Sequence, residues 1–167
     1  MKFDKIIQTY ESQPEIPKEI EESIINLFGV KNLQEIQDKV ALSKRIANLF
    51  YSDGEADYKQ NHKEYTLYYL PVNFYKVWQP LIDLLKYNLI HERFKILELG
   101  AGPGSCTFGM IEFFKMLAID NLETNFVVSF CLVEKEKEFI DIFNTIFERY
   151  KVTFPTNLNI DITWLHN

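Results

Sequence analysis

The stretch 94–107, FKILELGAGPGSCT, decides how this chain is read. Phe94, Ile96, Leu97 and Leu99 make a short apolar run of strand length, and Gly100, Gly102 and Gly104 alternate through the turn that follows. Glycine reaches backbone angles that side chains forbid, and it leaves no Cβ between the backbone and a ligand. Phe108, Ile111, Phe114 and Leu117 then recur at helical spacing. A helix starting at such a turn directs unpaired N–H groups and the positive end of its dipole into the same space. Strand, glycine turn and helix together predict a site for a nucleotide-like or carboxylate-bearing cofactor.

Downstream the pattern repeats. Residues 120–125 read as a loop, and 126–133, FVVSFCLV, form a continuous apolar run, as expected of a strand covered on both faces. Phe139, Ile142, Phe143, Ile146 and Phe147 form the apolar side of a second helix. Pro155 interrupts the chain, and 158–165 reads as a third strand. Strands alternating with helices predict an α/β class with a parallel sheet.

Upstream, residues 1–62 read as a helical region with polar faces, and 63–167 as the N-terminal part of the cofactor-binding domain. Pro17 fits the first turn of a helix carrying Ile20, Ile24, Leu27 and Phe28, with Gly29 as its stop. Asn32 is placed to cap a longer helix, with Glu35 at the capping-box position and Ile36, Val40, Ile46 and Phe50 along it, ended by Ser52-Asp53-Gly54. The charged segment 53–63 lacks periodicity and reads as a loop. Pro71 disfavours helix at Leu70 and suits a helix start, with Phe74, Val77, Trp78, Leu81, Leu84 and Leu85 following. Pro80 is a kink point within that helix. Tyr65, Tyr68 and Tyr69 have two readings, as a platform for an adenine or substrate base and as packing between helices.

Spacing narrows the cofactor. The dinucleotide fingerprint G-x-G-x-x-G/A wants a small third residue where this chain has Ser105, and a glycine falls one position earlier, at Gly104. The run E-x-G-x-G-x-G, from Glu98 to Gly104, resembles the first motif of class I S-adenosylmethionine-dependent methyltransferases. The resemblance implies a Rossmann-like core in which Gly100, Ala101, Gly102 and Gly104 pass beneath the methionine part, while Glu98 holds its ammonium group. Glu134, at the tip of the second strand, stands where a Rossmann-like site binds ribose hydroxyls, since a carboxylate accepts hydrogen bonds at both oxygens. It lies 30 residues after Gly104, beyond the roughly 20 of the dinucleotide fingerprint, and it also opens the charged run 134–138. Glu136 is the alternative carboxylate for the same role.

The order of segments is narrower still. An IPKEI helix start, LSKRIANLFYS, a charged loop, YTLYYLPVNFYKVWQPL and the glycine motif follow one another as in the methyltransferase-like family of mitochondrial small-ribosomal-subunit assembly, which has bacterial and archaeal relatives. This chain is similar to that family over about residues 16–140. Tyr65, Leu70 and Pro71 match its Tyr-x-x-x-Arg-Leu-Pro stretch, with Tyr69 in the place of the arginine. The resemblance implies methyl transfer to ribosomal RNA or action on the assembling small subunit. It also implies a sheet with further strands, a substrate-side motif after the fourth strand and a C-terminal cysteine cluster. None of these is in 1–167, so the chain reads as a fragment or a shortened product, with its first strand an exposed edge prone to self-association.

Composition bounds the alternatives. With 167 residues, 47% hydrophobic and 15% aromatic, the chain is long and apolar enough for one packed domain with a helical extension. A formal charge of −6 offers no global attraction to phosphate backbones. Cys106 and Cys131 lack metal-knuckle spacing, which favours a reducing compartment; no apolar run is of membrane-spanning length, and the acidic N-terminus is unlike a targeting signal. A cytoplasmic location is expected. His62, His91 and His166 are isolated in sequence, so no metal site is expected, and no catalytic residue is assignable. Two other classes stay open, a non-catalytic assembly factor that keeps the cofactor fold and a nicotinamide- or flavin-binding protein, the latter disfavoured by Ser105 and Glu98.

Overall fold

The computed structural model describes residues 3–12, 14–29, 35, 38, 39, 41 and 62–166. Their order is α1 (Asp4–Glu11), α2 (Lys18–Phe28), α3 (His62–Asn73), a 3-10 turn (Phe74–Val77), α4 (Trp78–Lys86), β1 (Arg93–Leu99), α5 (Ser105–Asp120), β2 (Phe126–Val133), α6 (Lys137–Tyr150), a second 3-10 turn (Lys151–Thr153) and β3 (Leu158–Leu165). The helix expected from Asn32 to Phe50, its Ser52-Asp53-Gly54 stop and the charged loop up to residue 61 lie outside the described residues, apart from helical Glu35, Asp38, Lys39 and Ala41.

The three strands are all parallel in the order β1-β2-β3. The fold is α/β: an open parallel sheet preceded by helices. Phe94 faces Val128, and Leu99 faces Val133, at the carboxyl ends where both strands turn away. Phe126, Val128, Phe130 and Leu132 are buried, whereas Val127, Ser129, Cys131 and Val133 are only half-buried. The expectation that this strand is covered on both faces is corrected. Right-handed crossovers that advance in one direction put α5 and α6 on the same side of the sheet. The other side stays open among the described residues, and on it Leu97 and Leu99 of the edge strand are 64% and 73% exposed.

Helix α5 is the centre of the packing. Phe108, Ile111, Phe113, Phe114 and Leu117 are all fully buried, and they lie around the helix rather than along one stripe. A helix that is apolar all round must be covered on all sides. Phe114 packs on Phe94 of β1, while Phe113 meets Trp78 of α4 edge-on. Thus α5 lies between the sheet and the N-terminal helices, which share one core with it through Ile6, Ile20 and Ile24. The close approach falls at Gly109. An added Cβ there would stand 1.9 Å from the Phe74 carbonyl oxygen, and the Gly109 carbonyl accepts the Trp78 indole N–H at 2.8 Å.

Pro71 departs from expectation, whereas Pro80 sits where the helical path is interrupted, as expected. Helix α3 begins at His62 and runs through Leu70 and Pro71, although Pro71 disfavours helix before it. Leu67 and Leu70 are buried, and this packing overrides the local preference. Pro80 lies in the first turn of α4, where a missing N–H leaves no bond unmade; the helical path tightens into the 3-10 turn just before it. Gly29 ends α2 in the left-handed conformation, at φ 60°. No helix among the described residues is long and apolar enough to cross a membrane.

Candidate functional site

At the carboxyl ends of β1 and β2 the chain forms a cavity of about 440 Å³. One wall is the glycine turn. Gly100, Gly102 and Gly104 have φ of 67°, 55° and 85°, so each holds an angle that other residues adopt only at a cost of about 1–2 kcal/mol. Their neighbourhoods differ. An added Cβ at Gly100 or Gly102 would meet no protein atom within 4 Å, and both residues line the cavity. At Gly104 the Cβ would stand 2.2 Å from Phe143 Cδ2, so this glycine is required by the packing of α6 under the turn.

The turn is tied to the tip of β2. Gly100 N and Ala101 N both donate to the Val133 carbonyl, at 2.9 and 3.1 Å. Gly102 N donates to Glu134 Oε2 at 2.7 Å. Glu134 is buried, and its Oε1 accepts from the N–H groups of Lys135 and Glu136 at 2.8 and 2.9 Å. A carboxylate has about four acceptor lone pairs, so three backbone bonds leave one, on Oε2, beside the cavity. Glu134 in this arrangement has room for one further hydrogen-bond donor, and for a second only if the Gly102 N–H yields.

The facing wall is aromatic and acidic. Tyr65 stacks on Tyr69 with centroids 4.2 Å apart and tilts against Phe139 at 5.2 Å. Tyr65 and Phe139 line the cavity while packing α3 on α6, which accommodates both readings of this tyrosine; Tyr68 and Tyr69 do not line it. Val133, Lys135 and Glu136 complete the lining.

The structure therefore brings Gly100, Gly102, Glu134 and Glu136 together on the cavity, and leaves Glu98, Ala101 and Gly104 off its wall. The Glu98 carboxylate accepts the Thr107 hydroxyl across the start of α5. Burial pushes its pKa up, and the Thr107 hydrogen bond opposes the shift. Burial, then the Glu98 charge, push the Cys106 thiol up, against a lowering by Lys76, which keeps it the protonated, unreactive form. Helix α5 carries another half-buried carboxyl group, Glu112. It accepts the Tyr150 hydroxyl and pairs with Lys115 at 3.3 Å, and burial raises its pKa.

Sequence reasoning missed Phe139 as a cavity residue, reading it only as core. It also took His62 as isolated. His62 is buried, edge-on to Phe139 at 4.6 Å and 3.7 Å from a Glu136 oxygen. A separation of 74 positions hides that pair from any local pattern.

Comparison with protein-family models, with curated proteins and with solved structures finds no match to this chain.

Proposed function

We propose that the cavity binds S-adenosylmethionine and that the chain is the cofactor-binding part of a methyltransferase with a Rossmann-like core. One observation carries this reading. Two glycines at positive φ line the cavity with open space where a Cβ would stand, at the carboxyl ends of parallel strands, and the Gly102 N–H is pinned to a buried carboxylate at the next strand tip. Ligands of open α/β sheets bind at such strand ends. The residues fit the group: the glycine backbone admits a close ligand, the free lone pair of Glu134 Oε2 suits a ribose hydroxyl, and the Tyr65 and Phe139 rings suit a purine face.

When bound, S-adenosylmethionine supplies an electrophilic methyl group. The chain's own part is to position it. Gly100 and Gly102 set the depth at which the cofactor lies, Glu134 fixes its rotation, and the aromatic wall excludes water from one side. Catalysis of this kind rests on holding two groups in line rather than on a proton-transferring side chain. The substrate proposed with it is small-subunit ribosomal RNA, on the strength of the sequence resemblance; with a net charge of −6, any attraction to RNA must come from a local surface.

A non-catalytic assembly factor is the second reading. It is favoured by one fact: both oxygens of Glu134, the buried carboxylate on the cavity, already accept backbone N–H groups. Methyl transfer from tritiated cofactor to small-subunit RNA separates the two. Incorporation establishes the enzyme, whereas absence of both binding and incorporation refutes the methyltransferase reading and leaves the assembly factor.

A further inference from the structure

The first turn of α3 meets the first turn of α6 at the rim of the glycine cavity. His62 is 7% exposed, and its Nε2 has no hydrogen-bond partner among the described residues. A buried polar atom left this way is destabilising, and folded proteins nearly always give such an atom a partner. The groups His62 faces are carboxylates. Glu136 Oε2 is 3.7 Å away, too far for a hydrogen bond, and one ligand atom from each of His62, Glu136 and Glu138 lies within 4.8 Å of the others. Lys135 Nζ, at 4.0 Å from Glu136 Oε1, is the other charge nearby, and it extends into solvent with 77% of its side chain exposed.

We propose that His62, Glu136 and Glu138 bind a divalent transition-metal ion of the zinc class. A neutral imidazole nitrogen supplies the lone pair, and two carboxylates neutralise the dication. Zinc holds nitrogen and oxygen ligands at about 2.0–2.2 Å, so its tetrahedral ligands stand about 3.3–3.5 Å apart. The 3.7 Å between His62 and Glu136 is within a few tenths of that, and the exposed Glu138 side chain is free to swing in. Imidazole in the set favours zinc-like ions over magnesium or calcium. Three protein ligands leave a fourth position open, as in zinc sites that do chemistry. Glu136 also lines the glycine cavity, which puts that open position at its rim. The sequence offered no sign of this site, because its histidine and its carboxylates come from different helices.

The test uses the full chain stripped with chelator and no nucleotide in any arm, so its outcome is independent of the cofactor reading. Zn²⁺ is titrated by calorimetry and Co²⁺ by visible absorption. One ion per chain is expected, with the intense d–d bands of tetrahedral cobalt. His62→Gln and Glu136→Gln should each weaken binding more than tenfold, the least that loss of even an outer-shell partner commonly brings, and His91→Gln should leave it unchanged. Should His62→Gln fail to fold, Glu138→Gln alters only an exposed side chain and must show the same loss. Absence of binding, or binding that survives Glu136→Gln or Glu138→Gln as an adventitious ion only, overturns the proposal. So do NMR signals of the His62 ring that are indifferent to added Zn²⁺.

Discussion

Replacing Glu134 with glutamine probes the joint between the glycine turn and β2. The side chain keeps its size and one acceptor oxygen, but its amide nitrogen must take the place of either Oε1 or Oε2. In one orientation the NH₂ faces the Gly102 N–H, now 2.7 Å from Oε2; in the other it faces the N–H groups of Lys135 and Glu136, at 2.8 and 2.9 Å from Oε1. Either way a donor meets a donor at a buried position. The loss is at least one charge-assisted hydrogen bond, about 1.5–3 kcal/mol. For a domain of this size each kcal/mol moves the melting temperature by roughly 2–4 °C, so a drop of about 3–12 °C is expected. Calorimetric melting and urea unfolding of parent and variant measure it, and hydrogen exchange at the Gly102 amide should accelerate. A melting temperature within about 1 °C of the parent, with exchange at Gly102 unchanged, would refute the claim that Glu134 holds the turn.

Other consequences follow from the same packing. Gly109→Ala puts a Cβ 1.9 Å from the Phe74 carbonyl oxygen, a clash with backbone, and should destabilise by several kcal/mol, at or above the ~1–3 kcal/mol usual for overpacking; a urea unfolding free energy within about 0.5 kcal/mol of the parent would show that α5 and the 3-10 turn separate freely. Glu98 has a raised folded pKa, so it adds no penalty below the ordinary glutamate value of 4.5 and costs stability as pH rises through its folded value. Glu98→Gln should therefore gain on the parent in melting temperature as pH rises from about 4 to 7; a constant difference would contradict the burial assigned to Glu98. The exposed edge formed by β1 should make the chain associate with concentration in sedimentation experiments, and Leu97→Lys with Leu99→Lys should suppress it; equal behaviour of the two would place the contact elsewhere.

The part of the fold nearest the glycine turn was the most legible. Runs such as FVVSFCLV announce a strand because nothing polar interrupts them, and the alternate glycines announce their turn because φ of 55–85° is costly to other residues. What could not be read is what depends on long-range placement. The apolar run of β2 implied two covered faces, but coverage is set by the side to which both crossover helices go. Gly109 gave no local signal, since its need comes from the Phe74 carbonyl 35 positions away. Pro71 signalled a break that burial of Leu67 and Leu70 overrode. In the site, Glu134 was legible as the acid at a strand tip, but its three backbone donors were not, and they change how many hydroxyls it can take. His62 stood alone in the sequence and is beside Glu136 in space.

Calorimetric titration of the chain with S-adenosylhomocysteine and, separately, with NAD tests the central claim most directly, with Gly102→Val as the control. A branched side chain at Gly102 would fill space now open to the cavity and resist a φ of 55°. One site is expected, which binds S-adenosylhomocysteine more tightly than NAD and is lost in Gly102→Val. Tighter binding of NAD, or S-adenosylhomocysteine binding that survives the substitution, would contradict that claim.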